Sequence, residues 1–148
     1  MRTQSNAIAI AVAALALVAA SPAMAQDNPS GRTGPPVVFS APLPDVPGVN
    51  LTVVELSFPP NPRPPSTTEN HVPGHRHPGS VFVYVTQGAV RLGLDGEPVQ
   101  VVHTGESFFE PPMALHVIAE SASATEPARA IAVMLVPEGQ PLTIPNRE

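Results

Sequence analysis

Proline sets the first limit on what this chain can fold into: 21 of its 148 residues are proline. That is roughly 14%, against about 5% in ordinary usage. Proline lacks a backbone donor and clashes with the preceding turn of a helix, so long helices are excluded wherever it is frequent. The prolines crowd residues 29–65, whereas between Gly79 and Thr125 only Pro98, Pro111 and Pro112 occur. Residues 26–48 therefore read as an extended proline-rich arm. One strand is expected at 49–58, where apolar residues alternate along the run. The polar, proline-rich stretch 59–74 is expected to be a long loop, and long ordered loops are often functional.

The rest of the chain consists of short β-branched and aromatic runs closed by turn signals. Strands are expected at 81–86, 89–94, 99–103, 107–110, 115–120 and 130–136. Gln87-Gly88, Asp95-Gly96, Thr104-Gly105 and Pro111-Pro112 punctuate them, and Asp-Gly is a strong hairpin signal. Strands of this length at about ten-residue spacing, without a helical period, indicate an antiparallel sandwich or barrel.

Ahead of the arm, residues 1–25 carry the pattern of a cleavable signal peptide. Arg2 opens it, an unbroken apolar run of 14 residues extends from Ala7 to Ala20, and Ala23-Met24-Ala25 supplies the small residues of a cleavage site. The run is shorter than the roughly 20 residues needed to span a bilayer. The expectation is a periplasmic or secreted protein processed before Gln26, with no membrane association after cleavage. The expected layout is a signal peptide at 1–25, the arm at 26–48 and one β-barrel domain at 49–148.

Composition excludes several chemistries. There is no cysteine, so disulfides, thiolate metal sites and cysteine nucleophiles are ruled out. All seven basic residues are arginine, which removes Schiff-base lysine chemistry and the lysine of a phosphate-binding loop. A net charge of −5 argues against nucleic acid as a partner.

What remains is histidine. His75 and His77 form an H-x-H pair ahead of a strand, and period-two geometry sets such a pair on one face, where both rings can converge on one ion. Val81, Val83 and Val85 share that parity, so the face is expected to be interior. Phe82 and Tyr84 would then lie on the opposite face, suggesting a strand covered on both sides. His116 opens a later run directly after a proline turn. His71 and Glu69, in the long loop, are a second source of ligands, and His103 reads as an ordinary strand histidine. Arg76, between the two histidines, must point away and reads as structural or as an interface salt-bridge donor.

Two segments then resemble the motifs of the cupins, small β-barrels with two histidine-bearing motifs. Gly74-His75-Arg76-His77-Pro78-Gly79, running on through Tyr84-Val85 to Gly88, resembles the first. Gly105-Glu106-Ser107-Phe108-Phe109-Glu110-Pro111-Pro112, followed by His116, resembles the second. The likeness extends over about residues 37–145 and is nearest to small single-domain bacterial cupins. It implies an all-β antiparallel jelly-roll barrel of six to eight strands, frequently a homodimer, with a divalent metal held by His75, His77 and His116. It also shows departures. The first motif ordinarily has Glu where this chain has Val81, and the second has Gly at Met113 and often Asn at Glu120.

A replacement carboxylate can be sought at Glu110. If residues 111–115 make a tight connection between paired strands, Glu110 lies opposite His116 and could ligate the ion or orient an imidazole. The other reading of Glu110 is a solvated side chain at the barrel rim. Two functions stay open: a metal-dependent enzyme of oxygenase or isomerase type acting on a small organic ligand, or a non-catalytic module that binds a metal or small molecule. The ion is Zn, Cu, Fe, Mn or Ni. Three imidazoles alone favour zinc or copper, and Glu110 in the first shell would restore a set suited to iron or manganese.

Overall fold

The computed structural model describes residues 34–62 and 74–146. The signal-peptide pattern at 1–25, the first part of the arm, His71 and Glu69 lie outside the described residues. Among the described residues ten strands form two five-stranded antiparallel sheets, and there is no helix. The strands are β1 (Val37–Pro42), β2 (Val49–Phe58), β3 (His75–Arg76), β4 (Val81–Gln87), β5 (Ala89–Leu94), β6 (Gln100–His103), β7 (Ser107–Glu110), β8 (Leu115–Ser121), β9 (Ala128–Pro137) and β10 (Ile144–Pro145). One sheet runs β1-β2-β9-β4-β7 and the other β10-β3-β8-β5-β6.

The strand at 49–58 and the runs at 89–94 and 107–110 lie where the alternation placed them, and the other expected strands differ by one or two residues at their ends. Three strands had no clear signal. β1 lies inside the proline-rich arm, where Phe39, Ser40 and Ala41 pair with Val53, Thr52 and Leu51 of β2. Proline tolerates such an edge because its missing donor faces away from the ladder. β3 and β10 are two residues each and pair with one another, too short to show any period.

The core fills the space between the sheets. Val81, Val83 and Val85 of β4 point inward and are fully buried, as parity required, together with Val90, Leu92, Phe108, Ala130, Ala132 and Met134. At about 1.5–3 kcal/mol for burying each large aliphatic side chain, these contacts dominate the stabilisation of the sandwich. The alternate face of β4 corrects the expectation. Phe82 and Tyr84 are 45% and 44% exposed, because their sheet is covered on its inner side only.

A second correction concerns how the histidines meet β4. β3 belongs to one sheet and β4 to the other, so the H-x-H pair does not share a strand with Val81. The chain crosses between sheets at residues 77–80, and Gly79 makes the crossing possible. A Cβ built there would stand 1.6 Å from the Leu135 carbonyl oxygen, at a point where the Leu135 N–H donates to the Ser80 carbonyl. No side-chain rotation relieves a clash with backbone. Gly79→Ala is therefore expected to cost several kcal/mol, at the severe end of single substitutions, and to displace His77. A urea midpoint within error of the wild type's would contradict this account of the crossing.

Candidate metal centre

Three strand ends from both sheets bring the site together. His75 on β3 is paired directly with His116 on β8, which puts their rings side by side. His77 follows as the chain leaves β3 and turns into the crossing. Glu110 ends β7 in the opposite sheet and points into the interior, buried to 3% exposure. The ligand atoms of His75, His77 and His116 all lie within 4.8 Å of one another.

The backbone decides which ring nitrogens face the centre. His77 Nδ1 lies 2.7 Å from the Leu142 carbonyl oxygen, and His116 Nε2 lies 2.7 Å from the Ile118 carbonyl oxygen. A carbonyl can only accept, so each of these nitrogens carries its proton and donates it. The other nitrogen, His77 Nε2 or His116 Nδ1, is left with a bare lone pair pointing inward. This is the outer-shell arrangement that fixes a metal-ligating imidazole. His75 Nε2 stands 3.2 Å from His77 Nε2, and two nitrogens at that distance are held by a proton on His75 or by a shared cation.

Glu110 completes the group. Its Oε2 is 3.5 Å from His77 Nε2 and 3.4 Å from His116 Nδ1. Both distances are too long for a good hydrogen bond. Glu110 Oε2 and His116 Nδ1 are indeed buried with no hydrogen-bond partner. Orphaned buried polar atoms cost about 1–3 kcal/mol each, more when charged. The distances suit a different partner. Two atoms each 2.0–2.2 Å from one ion stand roughly 3.0 Å apart at a right angle and about 3.5 Å apart at the tetrahedral angle. The separations of 3.2, 3.4 and 3.5 Å fall in that interval, while the histidine ligand atoms spread over up to 4.8 Å and would draw together by some tenths of an ångström around an ion. The residues therefore fit a divalent cation.

The electrostatics agree. Burial raises the Glu110 carboxyl from its ordinary 4.5 to about 7. Burial, and then the neighbouring His75, drive His116 down to about 4; His77 adds to this and the Ile118 carbonyl opposes it. His77 is also lowered by burial, against the raising effect of its bond to the Leu142 carbonyl. Without an ion the site resists charge of either sign. Neutral imidazoles beside a carboxylate are the protonation state that coordination requires.

Glu110 thus reaches the site by a different route from the one expected. β7 and β8 lie in different sheets and do not pair, so Glu110 is not opposite His116 across a tight connection; it faces His116 across the interior. Its ladder partner is Val81, the position where the first motif ordinarily carries Glu. The reading of Glu110 as a solvated rim residue is excluded by its burial. Arg76 turns outward, its guanidinium donating to the Met113 carbonyl at 2.6 Å. Met113 has φ +63°, in the left-handed region that explains why glycine is usual there. His103 is exposed and stands apart. Glu120 is tied to Arg91 and to Asn61.

Comparison with known proteins supports the architecture. Residues 67–134 match the family model described as the cupin domain. No curated protein matches the chain. A conserved protein with a double-stranded β-helix domain from Klebsiella pneumoniae superposes with a TM-score of 0.51 at 16% identity, covering 80% of this chain and 88% of that one. A cupin-like protein from Thermotoga maritima superposes with a TM-score of 0.46 at 23% identity, covering 57% of this chain. The match spans only 56% of the Thermotoga chain. At 16% identity the likeness to the Klebsiella protein concerns the fold alone.

Proposed function

We propose, from the premise that this chain carries a small cupin domain, that it binds one divalent metal through His75, His77, His116 and Glu110 and acts on a small organic ligand there. The observation that supports this most directly is the pair of orphaned atoms, Glu110 Oε2 and His116 Nδ1, 3.4 Å apart in a buried site. A bound divalent ion supplies a Lewis acid with positions open beyond its protein ligands. The protein's own contribution is to orient the imidazoles through the Leu142 and Ile118 carbonyls and to surround them with an apolar core. His75 is less buried than His77 or His116, which makes its side the natural approach for a ligand. The reaction class is of oxygenase or isomerase type. The second reading is a non-catalytic metal or small-molecule binding module, favoured by the lack, among the described residues, of a carboxylate beyond Glu110 beside the three histidines to serve as base. The pattern at residues 1–25 supports export, with removal of those residues before Gln26.

Elemental analysis tests the site, using protein exported by a Gram-negative host and purified without chelator. The wild type is expected to carry about one equivalent of metal, and its N-terminus by mass spectrometry is expected at Gln26. His75→Ala, His77→Ala and His116→Ala should each lower affinity by orders of magnitude, since each removes one of few ligands, while far-UV circular dichroism stays unchanged. Equal metal content in the wild type and all three variants would dispose of the site. Oxygen consumption with chelating oxygen ligands then separates the enzyme from the binding module.

A further inference from the structure

Two short crossings between the sheets meet beside the metal centre. Residues 77–80 carry the chain from β3 to β4, and residues 111–114 carry it from β7 to β8. The second crossing joins Glu110 to His116, so its shape decides where the carboxylate stands relative to the imidazoles. The three histidines are held in other ways: His77 by the Leu142 carbonyl, His116 by the Ile118 carbonyl, and His75 by its ladder pairing with His116. Glu110 Oε2 has no such hold, because it makes no hydrogen bond. The next two residues are Pro111 and Pro112, which carry no backbone N–H. The first backbone donor beyond Glu110 is therefore the Met113 N–H.

Both the N–H and the carbonyl of Met113 are bound to the segment that carries His75 and His77. The N–H donates to the His77 carbonyl at 2.8 Å, and the carbonyl accepts from the Arg76 guanidinium at 2.6 Å. Met113 sits at φ +63°, and a residue with a Cβ keeps that conformation only where its surroundings impose it. Its own side chain does not impose it, being 48% exposed. Arg76 is also an unexpected neighbour for a metal centre. It lies between two ligands, and among the described residues no carboxylate pairs with it, so by charge alone it would repel a cation. We propose, resting on the metal site described above, that Arg76 is a positioning residue. Its bond to the Met113 carbonyl keeps the crossing at 111–114 in the conformation that holds Glu110 against His77 and His116.

Charge and position give opposite signs, which makes the test sharp. Removing a nearby positive charge should tighten cation binding, whereas releasing the crossing should weaken it. Calorimetric titration of the purified chain with Zn²⁺ is expected to show Arg76→Met at least about tenfold weaker than the wild type, the effect that partners of a metal ligand have. In a Glu110→Val background the same substitution should cause no further loss, since Arg76 acts through Glu110. Adding Met113→Gly to Arg76→Met should return affinity to within about threefold of the wild type, because glycine adopts a positive φ without outside help. With Co²⁺ in the site, the visible spectrum of Arg76→Met should resemble that of Glu110→Val. If Arg76→Met loses its circular dichroism, Arg76→Gln, with a shorter side chain, takes its place under the same expectations. Zinc bound by the variant as tightly as by the wild type, or more tightly, would overturn the proposal and leave the metal site intact. An equal loss in the Glu110→Val background would also overturn it, since Arg76 would then act on the histidines. So would a loss that Met113→Gly does not repair. A wild type that takes up no zinc would instead remove the site and this role with it.

Discussion

Without metal, Glu110→Gln is expected to be more stable than the wild type at pH 8, and with metal the order is expected to reverse. The carboxylate is 3% exposed and its Oε2 has no hydrogen-bond partner. Burial moves its pKa from 4.5 to about 7. The folded chain therefore holds the Glu110 proton more tightly than the unfolded chain does. Stability falls as pH rises from about 4.5, and the loss is complete above about 7. At about 1.4 kcal/mol per pH unit between those values, the cost comes to about 3.5 kcal/mol. Gln keeps the shape and removes the charge, so it recovers most of that amount in chelated protein. His116 acts on the other side of neutrality. Its pKa is depressed to about 4, so stability drains as pH falls from 6.5 towards 4, equally in both proteins, and cancels in the comparison. Urea unfolding at pH 8 and near pH 4, with and without chelator, checks this. The two chelated proteins should differ by about 2–3 kcal/mol at pH 8 and coincide near pH 4. With a divalent ion bound, the wild type gains the linkage energy of a four-ligand site and the variant only that of three. A variant that is less stable than wild type in chelator would mean that Glu110 has a structural partner instead.

Glu110 shows what the chain discloses by itself and what it hides. Alternation in 81–85 is enough to bury the valines of β4, because parity on a strand is a local property. The pairing of β4 with β7 is not local. Residues 88–106, with β5, β6 and the turns around them, separate the two in sequence, and no pattern in either run states that Val81 lies beside Glu110. The same limit separates the histidine pair from β4. His75, His77 and Val81 share parity along the chain, yet the Pro78-Gly79 crossing sends them to different sheets. That crossing is a matter of which sheet each segment joins, and the close approach of Gly79 to the Leu135 backbone marks it. Phe82 and Tyr84 illustrate the opposite case. Their apolar character was legible, but whether a face is covered depends on which sheet the strand joins and what lies beyond it. The two-residue strands β3 and β10 exist through tertiary pairing alone and carry no signal to read. The three histidines were legible because their motifs fix both residue type and position. The Leu142 and Ile118 carbonyls that orient His77 and His116 were not, since any residue supplies a carbonyl.

Because Val81 and Glu110 are direct ladder partners that both point inward, the metal carboxylate is expected to be transferable between them. Directly paired residues have Cβ atoms about 4.5–5.5 Å apart, a distance that a glutamate side chain can make up by its own reach. Glu110→Val should leave three imidazoles, lower metal affinity by at least about tenfold, and shift preference towards zinc or copper. Adding Val81→Glu should return the fourth ligand from β4 and bring affinity back to within about tenfold of the wild type. Val81→Glu alone sets two carboxylates side by side in a dry interior, where like charges oppose each other. That single variant should be the least stable of the set in chelator and the one most stabilised by metal. Calorimetric titration of all four proteins with Zn²⁺ and Mn²⁺ separates the outcomes. Recovery in the double variant, with Mn²⁺ recovering more than Zn²⁺, would establish that the site needs one carboxylate at this ladder position and is indifferent to the strand that supplies it. A double variant no better than Glu110→Val alone would show instead that the geometry at Glu110 is specific to β7, and that the Val81 position no longer looks onto the ion.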